Sequence, residues 1–88
     1  MKGNKGRKLL GRFIVADPEI CRGKPTFRGT RIMVSQVLGM VTQGMAWETI
    51  IHECHDSITK DAIAEAVKLS SEAFIKHADE FVVEHVAA

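Results

Sequence analysis

Tyrosine is absent from the 88 residues, and cysteine and proline occur only twice each. Two cysteines without paired spacing make neither a disulfide framework nor a zinc pattern, so Cys21 and Cys54 are expected to be free thiols. No apolar run is long enough to span a bilayer, and the one at residues 13–16 is too short for the core of a signal peptide. A cytoplasmic, non-membrane protein is the expectation. Nothing is repeated or low in complexity. A content of 45% hydrophobic and 26% charged residues is that of an ordinary globular domain. A chain of this length buries only about 60–65% of its unfolded surface, so it gains from pairing with a second copy, and a homodimer is expected.

Carboxylates are missing where cations gather. Residues 1–31 carry nine lysines and arginines against Asp17 and Glu19, whereas residues 32–88 carry three lysines against nine carboxylates. The net charge of +1 therefore hides a strong dipole. Such asymmetry points to a polyanion at the front and to a basic partner or another copy at the rear; pairing of the two halves within one fold is the alternative. Within the front half, residues 23–32 read GKPTFRGTRI, with Lys24, Arg28 and Arg31 and no acid. Gly23 and Gly29 can take positive φ and Pro25 fixes its own, so these cations hang from a chain with little freedom. A basic but purely structural hairpin is the bland reading of the same residues.

Periodicity divides the chain. Residues 1–11, with three glycines and four cations, are expected to form a flexible basic arm, and residues 12–77 a single domain. Phe13, Ile14 and Val15 predict a short strand ending at Asp17-Pro18, and a second extended piece is expected at residues 26–28 or 31–33. Val34, Val37, Leu38 and Val41 mark an amphipathic helix over residues 35–43, ended by Gly44. A second helix is predicted over residues 46–53, with Trp47 and Met45 as core at the joint. Thr59 is a good N-cap for a long third helix whose face is Ile63, Ala66, Val67, Ser70, Ala73 and Phe74. Residues 78–88 are expected to extend it helically. The fold class is thus mainly α: a short N-terminal β-hairpin, then a three-helix bundle with helix-turn-helix spacing and an extended C-terminal helix.

On that template the third helix presents Thr59, Lys60, Ala64, Glu65 and Lys68. Asp61 and Glu65 repel phosphate, and no Arg, Asn or Gln is placed to read bases. Phosphate contacts are expected instead from Lys24, Arg28, Thr30 and Arg31, with Lys60 and Lys68 adding to them. Phe74, Phe81 and Val82 form an apolar patch on a charged tail, a candidate surface for a protein partner.

The motifs Asp17-Pro18, Gly23-Lys24-Pro25, Arg28-Gly29-Thr30-Arg31-Ile32, Val34-Ser35, Gly44-Met45 and Thr59 to Ile63 together resemble the domain-of-unknown-function 433 family. The resemblance implies a homeodomain-like fold of the helix-turn-helix group and an antitoxin role beside a PIN-like nuclease toxin. Relatives carry serine where this chain has Ala46, a lost N-cap worth about 1 kcal/mol.

Enzyme chemistry is not expected. Gly23-Lys24 is followed by proline, which excludes a phosphate loop of the Walker type. Cys54 beside His55 is adjacency, not triad geometry. His52, Glu53, Cys54, His55 and Asp56 match no zinc spacing and are expected to form a solvated turn. No cofactor, metal or small-molecule substrate is expected. Two functions remain: a DNA-binding antitoxin-like regulator, and a protein-interaction module that neutralises or scaffolds a partner without touching DNA.

Overall fold

The computed structural model describes residues 6–83. Three strands, β1 (Lys8–Leu9), β2 (Ile14–Ala16) and β3 (Pro25–Phe27), form one antiparallel sheet in the order β1-β2-β3. Three helices follow: α1 (Val34–Thr42), α2 (Trp47–Glu53) and α3 (Lys60–Lys76). The mainly α architecture with N-terminal strands is as expected from sequence; the sheet has one strand more.

That extra strand comes from the stretch assigned to a flexible arm. Lys8 pairs with Ala16 and Leu9 with Val15, while Leu10 N–H donates to Ile14 O at 2.9 Å and closes the turn. The arm's residues 1–5 and the tail's residues 84–88, including Val86, lie outside the described residues. Of the two alternatives for the second extended piece, residues 26–28 overlap β3 and residues 31–33 form no strand. β3 pairs with β2, and Met33 then forms an isolated bridge back to Thr26.

Both faces of the sheet are covered at its centre: Val15 and Thr26 are opposite one another and buried on one face, and the other face is the main core. Ile14 and Phe27 are opposite one another and pack with Val37, Ile50, Ile58, Ile63 and Ala66 from the helical side. Met45 and Trp47 are half-buried against that cluster, at the joint of α1 and α2. Cys54 and Ile58, placed by sequence in a break, are buried in the core because the α2–α3 turn folds inward.

Local chemistry explains where the helices stop and start. At the end of α1, Gly44 sits at φ +80°, with Gly44 N–H donating to Val41 O and Met45 N–H to Met40 O. This is the doubly bonded glycine stop of a Schellman motif. α2 ends in the same pattern, His55 to His52 and Asp56 to Ile51, but His55 and Asp56 take φ of 55° and 58° without being glycine. Ala46 caps α2 with no side-chain bond, whereas Thr59 Oγ1 accepts from Ala62 N–H at 3.2 Å at the start of α3.

The C-terminal helical extension is corrected. α3 stops at Lys76, and residues Ala78–Phe81 form a single 3₁₀ turn, after which Val82 is extended. A continued helix would carry Phe81 about 10 Å along the axis from Phe74. The tighter turn draws the rings back to 5.0 Å between centroids, tilted by 59°. Aromatic pairing at that distance is favourable and covers part of both rings.

Candidate nucleic-acid interface

Two tight turns display the front cations. The first runs through Cys21, Arg22 and Gly23, all at positive φ (49°, 59° and 83°), closed by Gly23 N–H to Ile20 O and Lys24 N–H to Cys21 O. The second is Arg28-Gly29-Thr30-Arg31, in which Thr30 N–H donates to Phe27 O and Gly29, at φ +82°, occupies the position where a type II turn demands a left-handed residue. Cys21 Sγ donates to Arg31 O at 3.6 Å and so ties the two turns together. Arg28 N–H bonds Phe13 O at 2.8 Å, which fixes the second turn to the sheet.

Arg22, Lys24, Arg28 and Arg31 are all exposed. Among the described residues no carboxylate lies within 4.0 Å of any of these four, whereas Lys60 is paired with Glu48 and His77 with Glu80. The alternative of a dipole satisfied within the fold therefore fails for these four. Exposed as they are, these four side chains keep their charge without a desolvation penalty.

Thr30 has another task. Its hydroxyl donates to Phe27 O at 2.8 Å and accepts from Ile32 N–H at 2.9 Å, so both sides of the oxygen are taken up inside the turn. It shapes the loop that carries Arg28 and Arg31. Lys60 stands across the α2–α3 turn from Glu48 at 2.8 Å. The hydrogen bond from Lys60, then a backbone hydrogen bond within Glu48 and the lysine's charge, hold the Glu48 carboxyl below the usual range. Lys68 is exposed on α3, with no described carboxylate within 4.0 Å.

Glu65 was expected on a face of α3 open to DNA. It is half-buried, with Oε2 accepting from Arg12 N–H and Oε1 from Phe13 N–H, both at 2.7 Å. The β1–β2 turn thus sits on that side of α3 and keeps it from entering a groove freely. Sequence separation hid this contact: its partners are 53 and 52 positions away. The left-handed Cys21 and Arg22 were likewise missed, since neither residue type announces positive φ.

At the rear, Phe74, Phe81 and Val82 are 52%, 55% and 48% exposed. Phe74, in the last turn of α3, is in ring contact with Phe81 beyond it, and Val82 follows in extended conformation. His52, Glu53, His55 and Asp56 line an open cavity of about 480 Å³, and among the described residues no group of three or more His, Cys, Asp or Glu is arranged to hold a metal. No helix among the described residues is long and apolar enough to cross a membrane.

Three helices behind a small antiparallel sheet, with a basic two-turn ledge on the sheet side, define the class as a small α-rich domain with a cationic face. The chain belongs to the family described as protein of unknown function DUF433, whose model matches residues 14–68. That span runs from β2 to Lys68, so it contains the ledge and the α3 anchor but neither β1 nor the Phe74–Phe81 end. Comparisons with curated proteins and with solved structures give no match.

Proposed function

We propose that this chain is a cytoplasmic, DNA-binding regulator of antitoxin type, in which the cationic ledge grips the phosphate backbone and the apolar end of α3 docks a protein. The observation that carries the reading is the set of four exposed cations on two mutually tied turns, with no described carboxylate in reach. Cations held on rigid turns lose little freedom on meeting phosphates, and each neutralised phosphate releases counterions whatever the sequence.

Arg28, Arg31 and Lys24 are the main contacts, and Thr30 supports them by shaping the loop. Lys68 adds a phosphate contact from α3, and Lys60 does so by leaving Glu48. The three helices are read as a homeodomain-like helix-turn-helix whose third helix contributes little base recognition, because Glu65 is engaged with the sheet. A PIN-like nuclease is the partner class that the family resemblance implies; that it docks at Phe74, Phe81 and Val82 rests on their exposure, since the family match ends at Lys68.

A second reading, a protein-interaction module without DNA binding, draws on the same apolar end and on the acidic character of α3. Titration against duplex DNA at two salt concentrations separates them. Affinity that falls steeply with salt supports the regulator; no binding at low salt leaves the interaction module.

A further inference from the structure

We propose that the rear of this molecule is completed by a second copy of the chain, the overhanging end of each α3 lying in an apolar groove of the other about a twofold axis. This gives the apolar end of α3 a second copy of the chain as its occupant in place of the nuclease named above, and it does not depend on DNA.

The overhang is the first observation. Only Ala62, Ile63 and Ala66 of α3 are fully buried, all in its first two turns, while every residue from Ser70 to Val83 is exposed. The Cα radius of gyration is 15.1 Å, against about 12 Å for a compact domain of this size. A free helical end of this kind is marginal in water, since short helices draw their stability from packing. Yet it carries Phe74 at 52%, Ile75 at 73%, Phe81 at 55% and Val83 at 98% exposure.

The receptor is the second. A groove of about 300 Å³ runs between the sheet and the middle of α3, lined by Leu10, Ile14, Pro25, Val34, Leu69 and Ala73. Its sheet-side wall includes Leu10, 43% exposed and just beyond the edge strand β1. Because α3 itself forms one wall, an antiparallel α3 from a second copy lies along it and carries its own Phe74–Phe81 pair toward the sheet. Ser70 and Ala73 are small enough to let the two helices approach closely.

Charge selects this occupant. The overhang bears Glu72, Asp79 and Glu80 against Lys76, and Lys8 stands at the sheet edge in line with Ala16 and the groove residue Pro25. The acidic end of one chain therefore meets the lysine at the sheet edge of the other. The contact is self-complementary, so it is made twice and closes as a dimer.

Sedimentation of the full chain without DNA reads the state directly. The native chain is expected to sediment as a dimer at micromolar concentration, and Ala73→Glu and Phe74→Asp as monomers with unchanged far-ultraviolet circular dichroism. A second measurement locates the contact: a spin label on Val83→Cys in a Cys21→Ser background, mixed with isotope-labelled native chain, should broaden the methyl signals of Leu10, Ile14 and Leu69. A monomeric native chain, or a dimer whose groove methyls stay sharp, would overturn the proposal. In that event the apolar end belongs to a different protein partner. The salt dependence of DNA binding would still decide the regulator reading on its own.

Discussion

The carboxylate of Glu65 occupies the space beside Gly11 so closely that a Cβ built on the glycine would stand 2.6 Å from Glu65 Cδ. The absence of a side chain at Gly11 is what lets both carboxylate oxygens reach the Arg12 and Phe13 amides at 2.7 Å. One glycine and one glutamate thus join the front turn to α3. Hydrogen bonds to a charged acceptor contribute about 1.5–3 kcal/mol where they are shielded, so Glu65→Ala should cost about 2 kcal/mol. Gly11→Ala should cost a similar amount by displacing the carboxylate. For a domain of this size, chemical or thermal denaturation should show melting lowered by roughly 8–16 °C. Unchanged melting of both variants would mean that the turn holds itself.

His55 closes α2 in a conformation that glycine adopts without strain. Its φ of 55° should be relieved in His55→Gly, which keeps the amide bond to His52 O. A gain of about 1 kcal/mol is expected, seen as a raised denaturation midpoint. A loss would show that the histidine ring makes up for its own backbone strain.

Acid should loosen the α2–α3 turn. The Glu48 carboxyl is held below its ordinary range chiefly by the hydrogen bond from Lys60, so the fold binds its proton less tightly than the unfolded chain does. The stabilisation is present above the ordinary carboxylate range and disappears as pH falls through the depressed value. Both side chains are exposed, so the effect on stability is small and is best read by nuclear magnetic resonance. In Lys60→Ala the Glu48 titration should move up toward the ordinary range.

The two thiols should differ in reactivity. Cys54 is 6% exposed, and burial, with a further push from Glu53, raises its thiol above the usual range, so little thiolate is present near neutral pH. Cys21 is half-exposed on the basic ledge. A thiol reagent should label Cys21 in the native chain and reach Cys54 only on unfolding. Because folding favours the protonated Cys54, that part of the stability is complete below the ordinary thiol range and is lost as pH rises toward the raised value.

Much of this architecture was legible in short-range chemistry. Gly44 ends α1, Thr59 caps α3, and Gly29 shapes the turn between Arg28 and Arg31, each through bonds within a few residues. What sequence could not show depended on distant partners. β1 needs Glu65 beneath its turn, and the 3₁₀ turn after α3 needs Phe81 to find Phe74. At the ledge, the sequence pointed to Lys24, Arg28 and Arg31 because they share a stretch without acids. It could not tell that Thr30 spends its hydroxyl inside the loop, or that Lys60 already has Glu48.

The central claim is that the ledge neutralises phosphates. Its most direct test is the salt dependence of duplex binding for the native chain and for the Arg28→Ala/Arg31→Ala double variant, followed by fluorescence anisotropy on several unrelated sequences. The account predicts weaker binding by the variant on every sequence, with the slope of log K against log salt reduced by about 2, since each lost phosphate contact removes about 0.9. A variant that binds DNA with the native affinity and slope would contradict it.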